Sequence, residues 1–311
     1  MKVLTTTSSF GKMSTRPLQM LAAAGYAVVM NPYGRTLKPE ESIQLLADVD
    51  GLIAGTEKLS REVLSQAPRL KVISRVGTGM DGIDHTAAAE LGIQVRNTPD
   101  AHVDAVAELT LAGMLDMLRH VPQAHHRLHQ GEWKKPMGRL LRGKTVGIIG
   151  LGRTGKALVE LLRPFTVTIL AYDPIQDVPF AQANNITYLS LEELLSQADI
   201  VTLHLSYSTD SYHLLNGARL AQMKAGAYVV NCARGGLVDE DALFDLLQSG
   251  HLAGAYLDTF EREPYSGPLT TLDNVVLTPH IGSYAAECRI RMEVEAVENL
   301  LAAFAQVGVS R

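Results

Sequence analysis

The stretch that decides the fold is Val-Gly-Ile-Ile-Gly-Leu-Gly-Arg-Thr-Gly, residues 146–155. The apolar run predicts a buried strand, and the pattern that follows Gly155 predicts an amphipathic helix. Gly150 permits a tight turn, Gly152 lets the backbone approach a pyrophosphate, and Gly155 lets the helix pack close to the strand. A second apolar strand ends at Asp173, roughly 20 residues beyond the loop, where this motif places an acid on a ribose 2′-hydroxyl. The order of strand, glycine loop, helix, second strand and acid predicts a site for NAD, because a carboxylate there repels the 2′-phosphate of NADP. In the alternative interpretation, the glycines form a turn in a ligand-free domain.

Short apolar runs alternate with amphipathic stretches on both sides of this loop. The pattern predicts five strands within residues 1–100 and six more between residues 144 and 277, with helices between them. Such alternation is typical of parallel sheets that are covered by helices on both faces. A length of 311 residues favours two domains.

Composition and charge exclude several classes of protein. Hydrophobic residues make up 46% and charged residues 20%, which is typical of a globular chain and not of a disordered or collagen-like one. The net charge of −5 provides no basic excess for binding nucleic acid. Two cysteines, Cys232 and Cys288, cannot form a disulfide framework. Because no stretch resembles a signal peptide or a membrane span, we expect a cytoplasmic protein with no membrane partner.

Titratable groups follow the ends of three predicted strands: Arg234 after residues 228–231, Asp258 and Glu263 after residues 253–257, and His280 after residues 275–277. Ligands of a doubly wound sheet bind beyond the carboxyl ends of its strands, so we expect these groups beside the nucleotide loop. A histidine can accept a hydroxyl proton while hydride leaves the same carbon, a carboxylate can support the imidazolium, and an arginine can bind a substrate carboxylate. In the alternative interpretation, His280 caps a strand or helix, Glu263 is solvated, and Arg234 pairs with Asp239 or Glu240.

Five stretches carry a resemblance to a known family: VGTGMDGIDHTAAAELGIQVRNTP (76–99), VGIIGLGRTGKALVELL (146–162), NCARGGLVDEDAL (231–243), GAYLDTFEREP (254–264) and TPHIGS (278–283). Over essentially its whole length the sequence resembles the D-isomer-specific 2-hydroxyacid dehydrogenases. The resemblance implies an α/β protein of two Rossmann-like, doubly wound parallel-sheet domains. A flavodoxin-like substrate domain would comprise residues 1–100 and 282–311, with an NAD-binding domain, residues 101–281, inserted into it.

The resemblance also implies roles for individual residues. The catalytic residues would be Arg234, Glu263 and His280. Asp258 would hold the nicotinamide carboxamide, and the full predicted cofactor-binding set is Gly150, Gly152, Arg153, Thr154, Gly155, Asp173, His204, Cys232, Asp258 and His280. The predicted substrate-binding set is Arg75, Val76, Gly77, Thr78, Gly79 and Arg234, with backbone groups of residues 76–79 receiving the substrate carboxylate.

Further expectations concern His204, metal ions and partners. The family often has proline two residues after the histidine, whereas this chain has Ser206, which leaves the contact of His204 open. His125 and His129 are one helical turn apart, but no carboxylate or cysteine completes a set, so we predict a solvated helix end and no metal site. The resemblance implies a homodimer, formed through the helix near Val106–Leu118 and the arm that carries Trp133.

The substrate prediction depends on Arg75, which precedes the carboxylate loop as in the phosphoglycerate dehydrogenases of this family. Such an arginine can bind a second anion, which favours 3-phosphoglycerate or a similar anionic three-carbon 2-hydroxy acid. Alternatively, Arg75 forms a salt bridge with Asp81 or Asp84. A hydroxypyruvate- or glyoxylate-type 2-oxo acid reductase and a non-catalytic, NAD-sensing corepressor-like dimer are the other functions left open. Because the chain ends at Arg311, we expect no C-terminal regulatory domain.

Overall fold

The computed structural model describes residues 1–306, so residues 307–311 of the predicted C-terminal segment lie outside the described residues. Twelve strands occur in the described residues: β1 Lys2–Thr5, β2 Ala27–Met30, β3 Gly51–Ala54, β4 Val72–Arg75, β5 Gln94–Arg96, β6 Thr145–Ile149, β7 Thr168–Tyr172, β8 Thr187–Tyr188, β9 Ile200–Leu203, β10 Tyr228–Asn231, β11 Gly254–Leu257 and β12 Val275–Leu277. The α-helices of the same residues are α1 Arg16–Ala23, α2 Pro39–Leu46, α3 Arg61–Ser65, α4 His85–Glu90, α5 Val103–Arg119, α6 Val121–His129, α7 Arg153–Leu162, α8 Val178–Ala183, α9 Leu191–Gln197, α10 Gly217–Ala221, α11 Glu240–Gln248 and α12 Ala286–Gln306.

The first compact unit comprises Met1–His102 and Ser283–Arg311. Its five strands are all parallel, in the order β2-β1-β3-β4-β5. The central strands are continuous apolar runs, and Leu4, Leu52 and Ile73 are completely buried, as expected for a sheet that is covered on both faces. Strands β2 and β3 lie on opposite sides of β1, so the order in which successive strands are added to the sheet reverses between β1 and β3. Sheets of this kind bind ligands beyond the carboxyl ends of the strands at such a point.

The second compact unit comprises Val103–Gly282 and contains a seven-stranded parallel sheet. Its strand order is β12-β11-β10-β9-β6-β7-β8, so the order in which successive strands are added reverses between β6 and β9. Helix α5 can pack closely on this sheet because Gly113 has no side chain: a Cβ there would lie 2.0 Å from the ring of Tyr256. Met114 and Leu118 of the same helix are fully buried in that core.

These two parallel α/β units confirm the predicted fold class. The observed divisions, after residues 102 and 282, differ by one or two residues from the predicted ones. One short strand was missed: β8 has only two residues and therefore no periodicity.

Two further observations concern the chain as a whole. No helix within residues 1–306 is long and apolar enough to cross a membrane. Cys232 and Cys288 are both buried, and no disulfide joins them.

Candidate active site

The glycine loop joins β6 to α7 in the second unit. Gly150 has a φ of +95°, and a Cβ there would lie 2.8 Å from the carbonyl carbon of His204. A Cβ at Gly155 would lie 2.4 Å from the carbonyl oxygen of Gly150. A Cβ at Gly152 would instead meet nothing within 4 Å, and this residue is the N-cap of α7. The first and third glycines are therefore required by close packing, whereas the second opens onto free space in front of helix N–H groups that favour an anion.

The acid of the predicted NAD site is fixed against this loop. The Oδ2 atom of Asp173 accepts a hydrogen bond from the amide of Leu151 (2.8 Å), and its Oδ1 atom accepts one from the amide of Ile175 (2.8 Å). Each carboxylate oxygen retains a second lone pair, so the group can still accept ribose hydroxyls. Arg153 and Thr154 are the first two residues of α7, beside the open space at Gly152. Anion space, helix terminus and fixed acid together fit a dinucleotide.

Two other predicted cofactor contacts, His204 and Cys232, are electrically neutral. The Nε2 atom of His204 lies 3.0 Å from Oγ1 of Thr202, and burial lowers the pKa of His204 to about 4. Cys232 is 6% exposed, and burial raises the pKa of its thiol to about 12. At neutral pH these groups are a neutral imidazole and a thiol, so neither offers charge to a diphosphate.

An imidazole–carboxylate pair lies beyond the ends of β11 and β12. The Nδ1 atom of His280 lies 2.9 Å from Oε2 and 3.1 Å from Oε1 of Glu263. Burial raises the pKa of Glu263, but the hydrogen bonds from His280 and from the amide of Phe260 outweigh this effect and bring the pKa below its ordinary value. Glu263 is therefore ionised at neutral pH, so Nδ1 must carry the proton that it donates. The Nε2 atom, which has no hydrogen-bond partner within residues 1–306, is then the basic nitrogen of the neutral ring.

Arg234 lies in a turn after β10 that the surrounding backbone fixes. Asn231 is 1% exposed; its side chain donates to the carbonyl of Arg234 (2.7 Å) and accepts from the amide of Ala233 (3.0 Å). A Cβ at Gly235 would lie 1.8 Å from the carbonyl carbon of Phe260, so this glycine brings the turn against the loop that carries Glu263. The charge of Arg234 contributes to the low pKa of Glu263. The structure thus brings the three predicted catalytic residues to one edge of the second sheet.

Asp258 clamps the segment that carries His280. It is completely buried at the end of β11, and its Oδ1 atom accepts hydrogen bonds from Oγ1 of Thr278 (2.5 Å) and from the amide of Ile281 (2.8 Å). Its Oδ2 atom accepts from the amide of Gly282 (2.7 Å). These bonds hold the chain on both sides of His280, whose φ of 53° is uncommon for a non-glycine residue. The predicted carboxamide contact must therefore share a carboxylate that already supports the histidine.

The predicted carboxylate-binding loop lies in the first unit, and fewer of its amides are available than predicted. The amide of Val76 donates to a backbone carbonyl at the end of β3 (3.0 Å), and the amide of Gly77 donates to Oγ1 of Thr98 (2.8 Å). The amides of Thr78 and Gly79 have no acceptor within residues 1–306. Only these last two N–H groups are open to a carboxylate, because protein oxygens already occupy the other two.

Arg75, the predicted second cationic anchor, lies at the end of β4. Its Nη1 atom donates to the carbonyl of Val76 and lies 3.5 Å from the carbonyl of Ala54. Asp84, one of the predicted salt-bridge partners, instead caps α4 by accepting from the amide of Ala87 (2.8 Å). The guanidinium of Arg75 therefore supports the backbone of the first unit.

The supporting residues Asn231, Thr278 and Thr98 were not predicted. Asn231 and Thr278 follow strands at the same edge as Arg234 and His280, a position that could have marked them. Thr98 had no such signal, because its hydrogen bond to Gly77 joins residues 21 positions apart.

The glycine loop and the fixed acid form a candidate dinucleotide site, and the second unit also carries an imidazole with one open nitrogen. Residues 111–282 match the sequence model of the D-isomer-specific 2-hydroxyacid dehydrogenase NAD-binding domain. The D-3-phosphoglycerate dehydrogenase of Methanocaldococcus jannaschii is 43% identical over 259 residues, which are 81% of this chain and 49% of that protein. The glyoxylate reductase of Thermofilum pendens is 43% identical over 274 residues, which are 85% of this chain and 80% of that protein.

A solved structure extends the similarity to the fold. The TT0316 protein of Thermus thermophilus superimposes with a TM-score of 0.91 at 38% identity, covering 98% of this chain and 97% of that one. The chain belongs to the D-isomer-specific 2-hydroxyacid dehydrogenase family, and NAD is its cofactor. It spans about half the length of the phosphoglycerate dehydrogenase it matches, and most of the glyoxylate reductase.

Proposed function

We propose that this protein interconverts a short D-2-hydroxy acid and its 2-oxo acid, with His280 as general acid and base. The observation that carries the proposal is the His280–Glu263 pair, in which the ionised carboxylate occupies Nδ1 and leaves Nε2 open. Bound NAD would supply the hydride acceptor. The Nε2 atom of His280 takes the hydroxyl proton during oxidation and returns it to the carbonyl oxygen during reduction. Glu263 stabilises the imidazolium that forms.

Individual charged and polar groups have the following roles in this proposal. Arg234 binds the carboxylate and polarises the carbonyl, because a guanidinium presents two parallel N–H donors to such oxygens. Of the four-residue loop of the sequence prediction, which lies in the first unit, only the amides of Thr78 and Gly79 are open to a carboxylate. Gly150, Gly152 and Gly155 shape the diphosphate site, and Asp173 selects NAD over NADP. We expect Asp173→Ala to reduce this cofactor preference; an unchanged ratio of NADH to NADPH turnover would assign the selection elsewhere.

Two substrate classes remain in this proposal, and separate observations favour them. Arg75 precedes the carboxylate loop as a second cation, which favours 3-phosphoglycerate, the substrate in the name of one relative. The smaller 2-oxo acids of the reductases need no second cation, and glyoxylate appears in the name of another relative. The test is NADH oxidation at 340 nm with glyoxylate, pyruvate, hydroxypyruvate and 3-phosphohydroxypyruvate. Tight NADH binding without turnover of any 2-oxo acid would contradict the dehydrogenase and favour the NAD-sensing dimer.

We also infer a homodimer, formed through helix α6 and the arm that follows it. The predicted interface helix near Val106–Leu118 is α5, whose Val106, Met114 and Leu118 are instead buried in the core of the second unit. Helix α6 has no buried residue, and Leu128 is 55% exposed. In the arm, Trp133, Met137 and Leu140 are 80%, 91% and 67% exposed. Exposed apolar side chains in this number favour a protein interface. Sedimentation of the variant Trp133→Ala/Met137→Ala should show dissociation; an unchanged dimer would place the interface elsewhere. A cytoplasmic location stays a prediction.

A further inference from the structure

A chain of two hydroxyl groups runs from the core of the second unit to the segment that carries His280. The hydroxyl of Tyr256, on β11, lies 2.9 Å from Oγ1 of Thr278. The same Oγ1 atom donates to Oδ1 of Asp258 (2.5 Å). Tyr256 and Asp258 are 2% and 0% exposed, so both ends of this hydroxyl chain are shielded from water.

The protons of the hydroxyl chain have a fixed order. The amides of Ile281 and Gly282 also bond the Asp258 carboxyl group, one to each oxygen, and an amide N–H can only donate. The carboxyl group is therefore an acceptor on both oxygens, and Thr278 gives its only proton to it. Because Thr278 then has only lone pairs left, Tyr256 is the donor in the remaining hydrogen bond.

Helix α5 packs against both ends of the hydroxyl chain. At one end, the absence of a side chain at Gly113 makes room for the ring of Tyr256. At the other end, a Cβ at Gly282 would lie 3.3 Å from Cγ2 of Val106 and 3.1 Å from Oδ2 of Asp258. The chain therefore connects two places where the sheet edge and α5 are in close contact.

Thr278 connects the carboxylate to the backbone that precedes His280. The amide of Thr278 donates to the carbonyl of Leu257 (3.0 Å), and its carbonyl accepts from the amide of His280 (3.0 Å). Without the Thr278 hydroxyl, the Asp258 carboxylate would keep only the amides of residues 281 and 282 as partners within residues 1–306. Both of those amides follow His280, so the hydroxyl is the group that attaches the carboxylate to the other side.

The Thr278 hydroxyl also stabilises the charge of Asp258. Burial raises the pKa of Asp258, and the hydrogen bond from Thr278 is the largest of the effects that oppose burial. The amides of Ile281 and Gly282 and the charge of His280 lower the same pKa by smaller amounts. Removing the hydroxyl would therefore raise the pKa of Asp258 further.

The other titratable groups around the hydroxyl chain do not take over this role. Cys232, which follows β10, and Tyr256 are neutral, because burial raises the pKa of both groups. On α5, the charge of Asp116 raises the pKa of Tyr256 further. The tyrosine therefore keeps its proton and remains a donor.

We propose that Tyr256 and Thr278 are positioning residues, whose hydroxyl chain orients the Asp258 carboxylate so that it holds the His280 segment in its catalytic position. The proposal rests on the proposed function, in which His280 is the general acid and base. It makes the turnover rate depend on two hydroxyl groups that transfer no proton to the substrate themselves.

The test is the pH dependence of kcat for reduction by NADH of glyoxylate or hydroxypyruvate, whichever the wild type reduces faster. In this direction His280 acts in its protonated form, so its own titration does not lower kcat at acid pH. Thr278→Val removes the hydroxyl from a side chain of similar shape. We expect its decline of kcat at acid pH to begin at least about one pH unit above that of the wild type, because a hydrogen bond to a charged group is lost. Thr278→Ser should keep the wild-type profile, and Tyr256→Phe should shift it by less than Thr278→Val.

The matched control is Tyr228→Phe, at a buried tyrosine of the adjacent strand β10 that lies outside the hydroxyl chain, and its profile should equal that of the wild type. A lower midpoint of thermal unfolding in Thr278→Val with an unshifted pH profile would show a structural role only, and would overturn the proposal. If Thr278→Val does not fold, identical profiles for Tyr256→Phe and Tyr228→Phe would overturn it equally. Unshifted profiles leave the dehydrogenase intact, whereas turnover of no 2-oxo acid by the wild type would refute the proposed function and this proposal together.

Discussion

The second unit contains two imidazole–carboxylate pairs that differ in which ring nitrogen the carboxylate occupies. In the first pair, Glu263 occupies Nδ1 of His280, and 44% of the histidine side chain is exposed. In the second pair, Glu261 occupies Nε2 of His213, and 26% of that histidine is exposed. Both histidines have a left-handed backbone, with φ values of 53° and 48°. Their backbone and partner type are therefore alike, but they differ in which ring nitrogen bonds the carboxylate and in how exposed the ring is.

A second carboxylate and an aromatic ring lie beside the rest of the His213 ring. Its Nδ1 atom lies 3.9 Å from Oδ2 of Asp239, and the ring of Tyr212 stacks on it with centroids 3.9 Å apart. Its backbone amide donates to the carbonyl of Gly236 (2.8 Å). This pair therefore acts as a brace for the turn after Arg234. The comparison shows that a histidine beside a glutamate becomes a candidate base only where one nitrogen stays open to a substrate.

Replacing each histidine gives the largest expected difference. We expect His280→Ala to lower kcat by about 10²–10⁴-fold, because general acid–base catalysis contributes that much. His213→Ala should lower kcat by less than about tenfold, because its ring nitrogens face only protein carboxylates. NADH binding, followed by fluorescence, should persist in both variants. Equal losses of kcat would break the comparison.

Removing the clamp on the His280 segment tests whether the backbone positions the open nitrogen. Asp258→Asn places an amide opposite N–H donors, so we expect the segment to shift and kcat to fall about 10²-fold, the effect of about 1 Å of misplacement. Asp239→Asn, beside the other histidine, is the control: asparagine caps a helix about as well as aspartate, so this variant should retain the cap of α11 and change neither stability nor kcat comparably. Stopped-flow hydride transfer and thermal unfolding measure the two effects. Normal hydride transfer in Asp258→Asn would show that the His280 segment keeps its position without the Asp258 carboxylate.

Neutralising each glutamate sharpens the comparison at the level of charge. Glu263→Gln should lower kcat by about 10–10²-fold, since hydrogen bonds to charged groups contribute about 1.5–3 kcal/mol. The low pKa of Glu263 keeps the wild-type carboxylate ionised down to pH 5, so the loss should persist between pH 5 and 8. Glu261→Gln should have little effect over the same range. A similar kcat for the two variants would mean that the Glu263 carboxylate orients the ring without stabilising its charge.

The smallest expected effect concerns His204, an imidazole with no acidic partner among its described hydrogen bonds. Its pKa falls from 6.5 to about 4 on burial, so the unfolded chain binds a proton that the folded chain does not. Its contribution to stability is complete above pH 6.5 and is lost as the pH falls towards 4. At pH 5 the loss is about 2 kcal/mol. Denaturant unfolding of His204→Gln should therefore show a smaller drop between pH 7 and 5 than the wild type; parallel curves would mean that the ring is solvated when folded.

Much of the second unit could be predicted from residues that are close in sequence. The strand, the three glycines and Asp173 lie within 28 residues, and their spacing is a local property of one strand–turn–helix–strand unit. The later strands were also recognisable, because parallel strands covered on both faces are continuous apolar runs. The sequence could not show which backbone amides of residues 76–79 are already hydrogen-bonded within the protein. The amide of Gly77, for example, donates to the hydroxyl of Thr98, which follows β5.

The sequence by itself determined the parallel α/β architecture, the dinucleotide loop and the identity of the groups at the strand ends, since apolar periodicity and glycine spacing act within a few residues. Only the tertiary structure decided how those groups are used. It showed that Asp258 holds the His280 segment and that Gly235 brings the Arg234 turn against Phe260. The physical reason is that the carboxyl ends of strands distant in the chain meet at one edge of a sheet, where hydrogen-bond partners are set by the strand order.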